Sequence, residues 1–291
     1  MWWRAASFWR PAAGAALVMG QPGEVAVLAD ADALAAAAAT RLTAWLTEAV
    51  AAHGTAHVAL TGGSSATGLY RELRNLPAGA LDWTRVHLWW GDDRYVPLDH
   101  PDSNAGSAYA MLGIGEVADA GVALAADVAV PVANVHPIPT DAAIRSGLGA
   151  GHAAERYADE VSRLLPLDEA GRPAFDVILL GMGPDGHILS VFPGSAALET
   201  DVPLVMAIPA PSHVEPHIER VTLTPRSLEP ARHVLVMVSG AAKAEMVRQV
   251  LRGERDPRRW PAQLAVLPQA TWLLDSGSAA RLGDADGAGA D

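Results

Sequence analysis

"LLGMGPDGHILSVFPG", residues 179–194, sets four glycines, two prolines, one carboxylate and one imidazole directly after an apolar run. Three readings compete for Asp185, Gly186 and His187 at the end of this apparent buried strand: a tight turn, a dinucleotide-binding loop, or a loop that delivers a histidine to a substrate. Gly181, Gly183 and Gly186 satisfy G-x-G-x-x-G after a strand. A dinucleotide fold also needs a helix opening at that loop, and a second strand ending in an acidic residue about twenty residues on. Pro193 and Gly194 interrupt too soon, and Glu199 and Asp201 precede the next strand, "LVMAI", instead of ending it. Bound NAD is therefore not expected. A plain turn accounts for the glycines and Pro184, but not for Asp185 and His187 standing together where a sheet would present them to a ligand.

Outward from this segment the sequence alternates two periods. "ADALAAAAATRLTAWLTEAVAAHG" places Leu34, Ala38, Leu42, Trp45, Leu46 and Ala49 on one helical face, with Gly54 as its stop. "HVALTGG" is a short buried strand running into glycines, and "SSATGLYRELRNL" is a helix with Ser64 and Ser65 as candidate caps. The strand–turn–helix unit recurs where "RVHLWW" meets "GDDR", "FDVILLGMG" meets "PDGH", and "HVLVMVSG" meets "AAKAEMVRQVLR". "VHPIP", "LVMAIP", "RVTLT" and "TWLLD" read as further strands and "AAERYADEVSRLL" as a helix. The pattern predicts an α/β fold with a mostly parallel sheet and helices on both faces. A single domain is expected over residues 24–282, between an N-terminal extension (1–23) and an acidic tail (283–291), both expected to be poorly ordered. Trp89, Trp90 and Trp272 are expected in the core, and Trp260 against the closing helix.

Composition bounds the partners. The 291-residue chain is half apolar, enough for a sizeable core. Its 33 acidic and 21 basic residues give a net charge of −12, which repels nucleic acid. An anionic small molecule can still bind where a few cations and backbone N–H groups converge. Cysteine is absent, so disulfides, thiol nucleophiles and Cys-ligated metals are excluded. Near the N-terminus the one apolar stretch, residues 12–19, is short, alanine-rich and broken by Gly14, unlike a secretory leader. No run approaches the eighteen or so apolar residues of a membrane span. A cytoplasmic protein is the expectation, with monomer and small homo-oligomer both open.

Ligands of open α/β sheets sit beyond the carboxyl ends of the strands. At "LTGGSS", Gly62, Gly63 and Ser64 combine close backbone approach with a helix N-terminus, which suits a phosphate, although a glycine turn with a serine cap fits equally. At "SGAAK", Lys243 falls in the first turn of the next helix, able to meet the same anion. His213 and His217, four apart with Glu215 and Glu219 nearby, suggest a metal pair, but Pro216 denies them one helical face and the H-E-x-x-H arrangement is missing.

"LTGGSSATGLYREL", "WWGDDRYVPLDHPDSN", "FDVILLGMGPDGHILSVFPG", "ERVTLTP" and "VSGAAKAEMV" resemble, in order, the signature blocks of the 6-phosphogluconolactonase family, within the wider group that includes glucosamine-6-phosphate deaminase. The resemblance runs from about residue 24 to 282. It implies a modified Rossmann-like fold and hydrolysis of 6-phospho-D-glucono-1,5-lactone in the oxidative pentose phosphate pathway, with no redox cofactor or catalytic metal. Three departures stand out. "DER" is here Asp92-Asp93-Arg94; "GHTAS" is here His187 followed by "ILS"; and the "SPKPP" type segment, which supplies a lysine ahead of "ERITLT", is here "APSHVEPHIERVTLT" without one. Arg220, His213 and His217 are the cations left to replace it.

Opening a lactone requires an activated water, a stabilised carbonyl oxygen and a grip on the distant phosphate. His187 is the candidate general base, since an imidazole accepts a proton near neutrality. Asp185 is its orienting partner. Arg94 is the candidate for the phosphate or the lactone oxygens, ordered by Asp92; an ordinary Asp92–Arg94 loop ion pair is the competing reading. Gly62, Gly63, Ser64, Gly183, Arg220 and Lys243 complete the expected substrate site. An amino-sugar-phosphate deaminase/isomerase would carry "DEY" in place of "DDR", and a non-catalytic sugar-phosphate sensor would not need His187.

Overall fold

The protein, seen as a computed structural model, is described over residues 7–9, 22–114 and 130–283. The rest of the expected N-terminal extension, apart from residues 7–9 and 22–23, and all but the first residue of the acidic tail lie outside the described residues. In the main sheet β2 (Glu24–Leu28), β3 (Ala56–Leu60), β4 (Val86–Trp90), β6 (Val135–His136), β7 (Val177–Gly181), β10 (His233–Val238) and β11 (Ala270–Asp275) are all parallel. The spatial order is β2-β11-β10-β7-β3-β4-β6, with β1 (Ser7–Trp9) added antiparallel outside β2. Neighbours β3 and β7 are the switch point: later strands run outward to β4 and β6 on one side and to β10 and β11 on the other.

Successive residues of a strand point to opposite faces, yet both Trp89 and Trp90 of β4 are fully buried, as are all residues of β3 and β11. Both faces of the sheet are therefore covered, which is why these strands read as mostly apolar runs and not as regular alternations. Helix α1 (Ala31–His53) lies across the strands beside α2 (Ser64–Arg74), capped by Asp30 at its start and by left-handed Gly54 at its end. Residues expected on its inner face are buried, while Trp45 reaches the edge and stacks on His233. Further along are α3 (Asn104–Leu112), α4 (Thr140–Arg145), α5 (Ala150–Leu164) and α6 (Ala244–Arg252). No described helix is long and apolar enough to cross a membrane.

One element departs from the sequence reading. Asp92–Arg94, expected as a loop after β4, forms strand β5, which pairs antiparallel with β9 (Arg220–Leu223), itself paired with β8 (Val205–Ile208). This small sheet stands over the carboxyl edge of the large one, packed against α5. Three residues carry too little periodicity to be told from a turn. Their pairing is decided by β9, more than a hundred residues away.

At the opposite edge, where the strands begin, His57, His87 and His136 stack with ring separations of 4.5 and 5.3 Å. His87 Nδ1 meets His136 Nε2 at 3.0 Å, His136 Nδ1 meets Glu160 at 2.8 Å, and the Trp89 indole donates to His57 Nδ1. Asp176 accepts the His57 backbone N–H and takes His53 on its other oxygen. Burial first, then the neighbouring histidines, lowers His57 to about 3 and His87 to about 4. The unfolded chain takes up protons below pH about 6.5 that these folded imidazoles refuse, so stability is fullest above that pH and is lost as pH falls toward 4 and then 3. The urea midpoint is expected to fall steeply between pH 7 and 4, and less steeply in His87→Gln; an unchanged slope in that variant would exclude the stack as the cause.

Candidate active site

Where β3, β4, β7 and β10 end, their following segments enclose a pocket of about 250 Å³. After β3, the N-cap of α2 is Gly63, at φ 89°, with no side-chain cap. Ser64 and Ser65 lie inside the helix, where Ser65 Oγ meets Ser239 Oγ at 3.3 Å. The expected serine cap is thus absent, and the first N–H groups of an eleven-residue helix open toward the pocket. Gly62 lacks a side chain for a second reason: a Cβ there would lie 2.1 Å from Asn104 Oδ1.

The turn after β7 closes through Gly186 N–H to Gly183 C=O (3.1 Å) and Gly183 N–H to His187 C=O (2.9 Å). It is a tight turn and also a display, because His187 lines the pocket while its Nδ1 meets Asp185 Oδ1 at 2.5 Å. Asp185 Oδ1 also accepts the His187 backbone N–H, and Asp185 Oδ2 meets His213 Nε2 at 3.1 Å. Burial by itself raises the Asp185 carboxyl, but the bond and charge of His187 and the bond from His213 outweigh it and hold it at about 2. A Cβ on Gly183 would stand 2.1 Å from His187 Nδ1 and 2.7 Å from Asp185 Oδ1, so the pair exists only over a glycine.

In register across β5 and β9, Arg94 and Arg220 form a pair of like charges, both lining the pocket. Arg94 donates to the Asp102 carbonyl (2.7 Å) and Arg220 to the Pro216 carbonyl (3.0 Å), and each keeps a buried Nε without a partner. Burial and then the charge of Arg94 lower the Arg220 guanidinium, against Asp92, Asp102 and Asp93. Two adjacent cations with unused donors are a site for an anionic or strongly polarised oxygen. On the opposite side Lys243 shares the pocket with the start of α2; burial lowers its ammonium and the charge of Asp275 opposes this. Asp275 accepts Gly240 N–H on both oxygens and so fixes the turn that carries the lysine.

Asp92 does not order Arg94, nor do they form a loop ion pair. Its carboxylate accepts the Ser190 hydroxyl at 2.6 Å, tying β5 to the loop after β7. Asp93, the shortened residue of the "DDR" block, caps α3: its carboxylate accepts N–H from Arg94, Asn104 and Ala105. Burial pushes it up to about 6 against those three bonds. Of the three replacement cations, Arg220 lines the pocket, whereas His213 turns to Asp185, and His217 is held by the Pro211 carbonyl and Glu215. Asn104, Leu189 and Phe192 were not singled out in the sequence. Asn104 lies in the quoted "HPDSN", and Leu189 and Phe192 in the quoted residues 179–194, so position was the available signal; the φ of 54° at Leu189 was not foreshadowed. Asn104 lines the pocket with its amide tied to the Asp92 carbonyl.

A family model described as glucosamine-6-phosphate isomerases/6-phosphogluconolactonase matches residues 29–274. The 6-phosphogluconolactonase of Mycobacterium leprae is 36% identical over 262 residues, covering 89% of this chain and 98% of that one. The corresponding protein of Synechocystis is 35% identical over 254 residues, covering 87% and 95%. Among solved structures, 6-phosphogluconolactonase from Trypanosoma brucei superposes with a TM-score of 0.74 at 28% identity, covering 91% of this chain and all of that one.

Gly183→Ala is expected to leave the melting temperature within about 5 °C of the parent, since Gly183 is absent from the positive-φ glycines, but to displace the His187 ring. The downfield Nδ1 proton resonance of the His187–Asp185 bond should vanish in its NMR spectrum; a retained resonance would show that the glycine is not required.

Proposed function

Because the chain belongs to the glucosamine-6-phosphate isomerase/6-phosphogluconolactonase family, we propose that its pocket hydrolyses 6-phospho-D-glucono-1,5-lactone to 6-phosphogluconate with water activated by His187. The activity is that of a lactone hydrolase, the ring-opening step of the oxidative pentose phosphate pathway. The observation that carries the reading is the 2.5 Å His187–Asp185 bond, placed on the wall of a pocket with cations at two sides.

With Nδ1–H held by Asp185, the lone pair of Nε2 is free to take a proton from water. The water oxygen bonds to C1 of the lactone, and negative charge develops on the carbonyl oxygen. The guanidinium groups of Arg94 and Arg220, which line the pocket, suit that oxygen, because backbone carbonyls fix them before charge appears and they need not reorganise. The bond from C1 to the ring oxygen then breaks, and the imidazolium returns its proton to the departing alkoxide. The new carboxylic acid ionises to solvent, leaving a dianionic phosphate at one end and a carboxylate at the other. Lys243, the open N-terminus of α2 and the glycines before it suit the phosphate. Asp185 serves as an anion throughout: held at about 2, it is ionised across the range pH 5–9. The acid limb of the rate profile therefore belongs to a group other than Asp185.

Lactone disappearance, corrected for spontaneous hydrolysis, tests the proposal. His187→Ala is expected to lower kcat by about 10²–10⁴-fold while the Kd for 6-phosphogluconate stays within about threefold. Wild-type turnover in that variant would reject His187 as the base, and an equal loss of binding and turnover would assign it to binding. Absence of turnover by the parent, with the product still bound, would favour the sensor.

A further inference from the structure

Asp185 has two oxygens, and His187 uses only one of them. A carboxylate bonded at a single oxygen turns easily about its terminal torsion, and the imidazole it holds turns with it. Here the second oxygen is taken by His213 Nε2 at 3.1 Å, from the loop between β8 and β9. Phe192 stands between the two imidazoles, 4.7 Å from the His187 ring and 5.8 Å, edge-on, from the His213 ring, with the Arg220 guanidinium over it at 5.5 Å. The loop that carries His213 is itself braced: His217 Nδ1 meets the Pro211 carbonyl at 2.6 Å, and Arg220 holds the Pro216 carbonyl at 3.0 Å.

We propose that His213 is a positioning residue of the reaction, which locks Asp185 from its outer oxygen and thereby fixes both the direction and the basicity of His187. The proposal rests on the reading of His187 as general base. It assigns His213 a role distinct from phosphate binding, since His213 is not among the residues lining the pocket and its Nε2 is occupied by a carboxylate. Either the neutral Nε2–H tautomer or the imidazolium serves as the donor. In both forms the bond draws negative charge away from the oxygen that faces His187, so it moderates the pull of Asp185 on the His187 proton. The other charged groups around the pair are Arg94, Asp92 and Lys243 in the pocket with His187, Arg220 across Phe192, and Glu215 and His217 on the His213 loop, which meet each other at 3.0 Å.

The His213 side chain is half exposed at the rim of a groove lined by Phe192, Met206, Ile208 and Pro211, so its removal opens no hole in the core. Steady-state kinetics of His213→Ala and His213→Gln across pH 5–9 test the role. The alanine variant is expected to lose about tenfold in kcat, with KM for the lactone within about twofold of the parent. The acid limb of its kcat/KM profile should move up by a few tenths of a pH unit, because the undivided charge of Asp185 then acts on His187. The glutamine variant, whose amide can donate to the same oxygen, should regain most of the rate and the parental profile. A rise in KM at constant kcat would make His213 a substrate ligand and overturn the proposal. Unchanged kcat and profile in the alanine variant, with His187→Ala inactive, would overturn it alone; an active His187→Ala would remove the premise as well.

Discussion

The 2.5 Å contact between His187 and Asp185 is the interaction on which the pocket depends, and it depends in turn on a missing side chain. The two residues are only two apart in sequence. The turn from Gly183 to His187 folds them back over position 183, where the space of a Cβ is filled by the imidazole and the carboxylate. Gly186, at φ 79°, lets the same turn close, and its carbonyl accepts the Ala262 N–H, anchoring the loop to the C-terminal part of the chain. Loop geometry, glycine spacing and imidazole orientation are thus one constraint expressed three ways.

Charge follows a similar economy. A chain of net charge −12 concentrates cations in one hollow, where its two arginines bond to backbone carbonyls and not to the carboxylates nearby. Arg94 and Arg220 are held side by side by strand register and given carbonyls in place of carboxylates, so their attraction for an anion is not spent within the protein. The acids nearby are engaged elsewhere: Asp92 with Ser190, Asp93 with the start of α3, Asp275 with Gly240. Each is aimed at the scaffold and tightens the wall that the cations use.

The same division explains how much of the molecule was legible. The parallel sheet was, because strands buried on both faces leave apolar runs such as residues 177–180 and 234–238, and because a helix as long as α1 repeats its pattern many times. In the short antiparallel sheet β8 and β9 were legible as strands, but β5 was not, because it is only three residues long and its pairing with β9 spans more than a hundred residues. The serine caps expected for α2 fit the local pattern, yet Gly63 takes the cap position and leaves the helix end open to the pocket.

From the sequence alone came the strand–turn–helix alternation, the loops that would gather at one edge, and the His187, Asp185, Arg94, Arg220 and Lys243 set. The alternation and the loops follow from short-range periodicity, and the residue set from side-chain chemistry together with the resemblance of the loop blocks to the 6-phosphogluconolactonase family. Only the tertiary structure decided that Asp92 serves Ser190 and not Arg94, that Arg220 faces Arg94, and that His213 turns to Asp185. Those are choices among several near neighbours of similar chemistry, and side-chain direction at the meeting of separate elements makes them.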